Sequence, residues 1–219
     1  MYRIIEGKVY GVLTDYDLAS WTTPSTDGYT KTSQQRTGTP PFMAIGLLDE
    51  TDTLHLYRHD VESIFYIMLI LATHYEIRAP EKGEDAWFQI RQGLKDLPHQ
   101  TWFDQPFYKV LAACKQAYFS NFEPLNLSPC FEDFRGWLLE LRRSFSRGFR
   151  ARQQRLEEED MERSCGKGAP VPFDNETLGG HIHYSALIDP VRNLEGRLKG
   201  LIIRYDHRSP STGTIHAGP

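Results

Sequence analysis

The chain has 219 residues, 40% hydrophobic and 12% aromatic, which allows one domain with a packed core and leaves room for a tail. A net charge of −4 excludes a global electrostatic attraction to nucleic acid or to an anionic membrane surface. Cys114, Cys130 and Cys165 are odd in number and widely spaced, so they read as reduced thiols of an intracellular protein, cytoplasmic or nuclear, and not as a disulfide framework. The N-terminal residues lack the apolar stretch of a signal peptide. The longest apolar run, Ile64 to Ala72, is about half of what a membrane span needs, and is expected to be core.

Tyr2–Ile5 and Val9–Leu13 read as two short strands joined by a Glu6-Gly7-Lys8 hairpin turn. Ser20 to Thr37 is polar, lacks periodicity and reads as a long exposed loop, a length usually kept for function or motion. Asp60–Thr73 is apolar nearly all round, which predicts a central buried helix. Glu84–Leu94, with Trp87, Phe88 and Ile90, is a shorter helical candidate. Pro106–Tyr118 carries Pro in its first turn and apolar Phe107, Val110, Leu111, Cys114 and Tyr118. Ser128-Pro129 forms a good cap and first-turn pair for a helix that sets Phe131, Phe134, Leu138, Leu141 and Phe145 on one face. From about residue 165, Gly and Pro interrupt the pattern. Ser185–Arg204 can hold one more helix broken by Pro190, and the Ser/Thr/Gly/Pro-rich end is expected to be disordered.

Gly11-Val12-Leu13-Thr14-Asp15-Tyr16-Asp17-Leu18-Ala19 carries the first chemistry. An apolar strand ends on an aspartate pair, where a rigid strand end can hold a carboxylate against a metal–phosphate complex. Asp also favours strand-end turns without any role. An Asp-x-Asp can further serve a haloacid-dehalogenase-type phosphatase, as nucleophile, or a glycosyltransferase, as metal site. Both belong to α/β folds with several further strands, whereas almost everything after residue 45 reads here as helix.

Arg36-Thr37-Gly38-Thr39-Pro40-Pro41-Phe42-Met43-Ala44 begins 21 residues after Asp15, and Tyr57-Arg58-His59-Asp60-x-Glu62-Ser63 places Asp60 21 residues after Thr39. With the Asp-aromatic-Asp-Leu-Ala-Ser run, these blocks resemble the fungal-type protein kinase family over roughly residues 1–155. Thr177-Leu178-Gly179-Gly180-His181 is similar to that family's C-terminal extension.

The resemblance implies a mainly α (α+β overall) protein kinase-like C-lobe with a short N-terminal β-hairpin over residues 1–155. Its activation segment would run from about 15 to 46, followed by a partly helical extension over 156–205 and a disordered tail over 206–219. It implies phosphoryl transfer from ATP to protein Ser/Thr, with Asp15 as the Mg²⁺ and nucleotide ligand. Thr39 would orient substrate and catalytic loop, and Asp60 would brace that loop, although plain helix capping would use the same carboxylate.

The sequence also departs from the kinase pattern. Asp17 stands where kinases carry Gly, and Gly46 where the Glu of their Ala-Pro-Glu element would be. Without that Glu the segment is expected to be looser, because its buried arginine partner would lose about 3 kcal/mol of pairing. Arg58-His59-Asp60 has the wrong order and place for a catalytic loop, with Phe65 where its Asn ligand would be. The 14 residues before Asp15 contain no His, Asn or Asp, and their only Lys is Lys8; the first Asn is Asn121. The Gly-rich loop, strand Lys, catalytic Asp and Asn ligand are therefore missing from this sequence. The expectation is a truncated kinase domain inactive alone, with ATP and Mg²⁺ bound only by an intact relative. The alternative is a non-catalytic pseudokinase or protein-interaction module.

Arg142 to Arg155 holds six arginines and no acid, followed by the acidic Glu157–Glu162. That pattern reads as a solvated helix with compensating ends, ahead of a nucleic-acid patch. His181-x-His183 reads as surface histidines, ahead of a metal site. Trp21, Trp87, Trp102 and Trp137 read as core or groove-lining. Ser20, Thr22, Thr23, Ser33 and Thr37 could accept phosphate on the loop, with only Arg36 beside them. No nucleic acid or membrane partner is expected, and neither the protein partner nor the oligomeric state is specified.

Overall fold

A computed structural model describes residues 2–5, 8–11, 38–49, 55–78, 87–91, 99–121, 123–165 and 172–192. The expectations for Asp15, Asp17, the 20–37 loop, Trp21 and the tail beyond Arg192 fall outside these residues.

The described chain is mainly α, with two small antiparallel hairpins. Strands β1 (Tyr2–Ile5) and β2 (Lys8–Gly11) pair with Tyr2 opposite Gly11 and Ile5 opposite Lys8, close to the expected hairpin. After the Pro40–Phe42 3₁₀ turn come α1 (Ile45–Leu48) and the long α2 (Tyr57–His74). Helices α3 (Gln100–Asp104), α4 (Tyr108–Ser120), α5 (Arg135–Ser164) and α6 (Tyr184–Arg192) complete the helical set.

Between α2 and α3 the sequence reading is corrected. Trp87–Ile90 is a strand, β4, paired with β3 (Tyr75–Arg78) in the register Tyr75 to Ile90. The Trp-Phe-Gln-Ile run is aromatic and β-branched, which suits a pleated surface better than a helix. Cross-strand pairing supplied what helical periodicity could not: the Gln89 amide donates to the Glu76 carboxylate at 2.9 Å, and Arg91 Nη1 donates to the Thr73 and Asn126 carbonyls at 3.0 and 2.8 Å. Boundaries moved as well. Helix α2 starts three residues before Asp60, and α4 starts after Phe107. Pro129 opens a 3₁₀ turn over Pro129–Phe134 that leads directly into α5, and the Ser128 hydroxyl meets Cys130 Sγ at 3.1 Å without capping that turn.

Helix α2 is the hub. Val61, Phe65, Tyr66, Leu69, Ile70 and Ala72 are buried against α4 and α5. Phe65, Phe119 and Phe145 form a ring cluster with centroids 5.6–6.0 Å apart, and Phe149 extends it along α5. Each such aromatic removes a large apolar area from water, about 25 cal/mol per Å². At the C-terminal end of α2, His74 stacks on His99 at 5.9 Å, and His99 packs on Trp102 and Tyr118.

Helix α5 carries Arg142 fully buried, not solvated as its charge pattern predicts. It lies over the Tyr118 ring at 4.1 Å and donates to the carbonyls of Glu123 (2.7 Å), Tyr118 (2.9 Å) and Asn121. The guanidinium thus satisfies the carbonyls where α4 ends, groups a helix leaves without internal partners. Farther along α5 the compensating charges do pair, with Arg155 between Glu158, Glu159 and Glu162 at 3.3–3.6 Å.

Candidate functional site: the 38–48 segment and its buried clamp

Gly38 has φ +135, which L side chains rarely adopt, and a Cβ there would meet Met43 Cγ at 3.2 Å. Thr39 follows in extended backbone and is exposed. Its hydroxyl does not cap the 3₁₀ turn, which closes through backbone bonds from Phe42 N to the Thr39 carbonyl and from Met43 N to the Pro40 carbonyl. Pro40 and Pro41 preset φ for this turn. Met43, Ala44, Ile45 and Leu48 then enter the core.

Two buried charged side chains hold this segment. Lys115, on α4, is fully buried, and its ammonium donates to the carbonyl of Met43 at 2.6 Å and of Pro40 at 3.3 Å. It also lies over the Tyr66 ring at 4.0 Å. Glu62, on α2, is fully buried, and its Oε1 accepts the Ile45 N–H at 2.8 Å and the Tyr66 hydroxyl at 2.5 Å. The carboxylate thereby satisfies an N–H at the start of α1 that no carbonyl of that short helix can reach. Burial pushes the Glu62 carboxyl above the usual range, opposed by Tyr66, the Ile45 amide, Lys115 and Arg58. Burial pushes the Lys115 ammonium down to about 7, opposed by Glu62.

Gly46 is buried within α1. Beside it, the Ile45 N–H is bonded to the Glu62 carboxylate of α2, a backbone contact to the segment that the missing Glu did not suggest. The chemistry is reversed relative to that expectation: the buried acid sits outside the segment and grips the segment's backbone.

Asp60 does not cap α2. It lies in the first turn, exposed, with its carboxylate 2.8 Å from His55 Nε2. That bond is the main cause raising the His55 pKa, against partial burial. Leu56 holds the cap position, and His59 Nδ1 accepts the Leu56 N–H at 3.0 Å. Thr39 and Asp60 are exposed, whereas Arg58, Glu62 and Lys115 are fully buried.

Arg58, Glu62 and Lys115 were not assigned roles from the sequence. The sequence shows an i, i+4 Arg–Glu pair in α2 and a lone lysine between Leu111 and Phe119, but neither says that these charges are buried. Such charges are seldom buried without partners.

Among the described residues no group of three or more His, Cys, Asp or Glu is placed to hold a metal ion, and Asp15 lies outside them. His181 and His183 belong to no such group, and His183 Nδ1 lies 3.2 Å from the Gly180 carbonyl. Among the described residues no helix is long and apolar enough to cross a membrane.

The fold and clamp together define a mainly helical domain built to hold one surface segment by its backbone. Residues 4–72, from β1 through most of α2, match the family model of the fungal protein kinases, and over that stretch the chain is similar to that family. No curated protein and no solved structure matches the chain.

Proposed function

We propose that the chain carries the substrate-binding half of a fungal-type protein kinase domain, with the architecture of a kinase C-lobe. The observation that carries this reading is the Glu62–Lys115 clamp, which fixes the 38–48 segment while leaving Thr39 exposed. Phosphoryl transfer to Ser or Thr depends mostly on positioning and on metal-held charge. A segment gripped by its carbonyls and amides suits the positioning part, because it presents a fixed edge to an incoming peptide. In a complete kinase active site Asp15 would hold Mg²⁺, Thr39 would orient the substrate hydroxyl and the catalytic loop, and Asp60 would brace that loop. The 219 residues contain no Gly-rich phosphate loop and no catalytic base by sequence, so they transfer no phosphate by themselves.

The test is a thermal-shift titration of the purified chain with ATP and Mg²⁺, run beside a phosphate-incorporation assay on a mixed Ser/Thr peptide pool. The expected outcome is a folded protein with neither shift nor incorporation. A Mg²⁺-dependent shift with incorporation, both lost in Asp15→Ala, would show a complete catalytic site and overturn the inactive part of the reading.

A second reading, a non-catalytic interaction module, is favoured by one observation. Phe103, Phe107, Tyr108 and Val110 are exposed together at the α3–α4 corner, and Phe103 contacts Phe42 of the segment edge-on at 6.1 Å. An apolar cluster of that kind often marks a protein contact.

A further inference from the structure

The loop Asp174–Gly180 is closed on itself. The Asp174 carboxylate accepts the Glu176 N–H (3.0 Å), the Thr177 N–H (3.3 Å) and the Thr177 hydroxyl. The Thr177 hydroxyl in turn accepts the Gly180 N–H at 2.8 Å. Leu178 sits at φ +52 with its side chain fully buried against Gly148 of α5. The loop then reaches the start of α2 twice. Glu176 Oε1 accepts the Tyr57 N–H at 2.8 Å, and the Asn175 carbonyl accepts Arg58 Nε at 2.7 Å. A carboxylate on a first-turn amide is also favoured by the helix dipole.

Arg58 is fully buried and faces inward as well. Its Nη1 lies 4.0 Å from Glu62 Oε2, one helical turn along α2. Glu62 Oε1 is the acceptor for Ile45 N–H, at the start of α1. Four groups therefore lie in series: loop carbonyl, guanidinium, carboxylate, segment amide, with hydrogen bonds at the two ends and a 4.0 Å ion pair between Arg58 and Glu62. In a low-dielectric interior, moving the guanidinium changes the field at the carboxylate beside it.

We propose that the Asp174–Gly180 loop is a control element for the 38–48 segment, acting through Arg58 and Glu62. When the loop is docked, Arg58 is held at the Asn175 carbonyl and Glu62 is held for Ile45. When the loop is released, Arg58 loses the Asn175 carbonyl and is no longer held at its place beside Glu62, which keeps Lys115, and the start of α1 loosens. A ligand, partner or modification that captures the loop would thus loosen a surface more than a hundred residues away in sequence. Its regulatory meaning rests on the substrate-binding reading of that surface; the coupling itself does not.

Amide hydrogen exchange on the full chain tests the coupling without any assay of catalysis. Thr177→Ala removes the side chain that closes the loop. The expected result is faster exchange at Gly179 and Ile182, accompanied by at least ~10-fold faster exchange at Ile45, with the α4 amides of Leu111–Phe119 unchanged. In an Arg58→Met background the same Thr177→Ala change should no longer move Ile45. Glu176→Gln, an exposed substitution that keeps the chain folded, gives the same reading in weaker form. Faster loop exchange with Ile45 unmoved overturns the proposal. So does uniform acceleration across α4, which would mean global loss of stability. A failure of phosphotransfer would overturn the proposed function alone and leave these rates unaffected.

Discussion

His99 and Lys115 show how far burial moves a titration. Burial of the His99 ring between His74 and Trp102 drives its pKa from 6.5 down to about 3. The folded state therefore refuses a proton that the unfolded chain accepts below pH 6.5. Stability is lost as pH falls from 6.5 toward 3, by up to about 1.4 kcal/mol for each unit crossed. Lys115, lowered to about 7 from 10.5, is an ammonium below that pH and releases its proton in the folded state above it, while the unfolded chain still holds the proton up to about 10.5. Stability from this group rises between pH 7 and 10.5. Glu62 is raised above 4.5, so just above that pH it holds a proton the unfolded chain has released, and its contribution falls as pH rises there. Urea unfolding measured across pH should show an acid limb that His99→Phe flattens and an alkaline rise that Lys115→Met removes. An acid limb unchanged in His99→Phe would mean other groups cause it.

At the scale of elements, one glycine fixes how α5 meets the extension. Gly148 is buried, and a Cβ there would lie 2.7 Å from Leu178 Cβ and 3.0 Å from Leu178 Cδ1. Alanine in mid-helix is ordinarily better than glycine by about 1 kcal/mol. Here the contact is closer than real Cβ atoms approach, and Leu178 is tied to a left-handed backbone that cannot slide freely. Overpacking of this kind costs about 1–3 kcal/mol, so the clash should win. Gly148→Ala is expected to lower the melting temperature and to speed amide exchange at Gly179 and Ile182. A higher melting temperature would show that the loop shifts without cost and that helix propensity decides.

At the scale of the molecule, the extension is part of the core. Leu178 and Ile182 are fully buried in the main apolar cluster, and Trp137 Nε1 of α5 donates to the Leu187 carbonyl of α6 at 2.9 Å. A chain ended at Cys165 would uncover Gly148 and strip the Tyr57 and Arg58 partners from α2. It should unfold at distinctly lower urea with a shallower slope, the sign of a less compact native state. An unchanged midpoint would mean that the extension is an appendage.

Much of this architecture was legible in the chain. The apolar run of α2 and the one-sided face of α5 marked the central helices, because burial imprints periodicity on sequence. The Gly38–Pro41 cluster marked the segment, because special backbone needs special residues. Trp87–Ile90 was not legible, since a short apolar run fits helix or strand until its partner is known. The clamp was hidden for another reason. Arg58, Glu62 and Lys115 are charged residues whose burial depends on three separate elements meeting, and no local pattern records that. Of the two uses read for Asp60, helix capping is not the one seen, because a carboxylate near a helix start has several possible hydrogen-bond partners and His55 is the one within reach.

The Arg142 guanidinium grips backbone oxygens at Tyr118, Asn121 and Glu123. Every residue type presents the same carbonyl, so the identities of positions 121 and 123 are not written into this joint. The information for the α4–α5 corner is stored almost entirely on one side. Descendants of this chain could exchange Asn121 and Glu123 for many other residues and keep the corner, whereas they would have little freedom at 142.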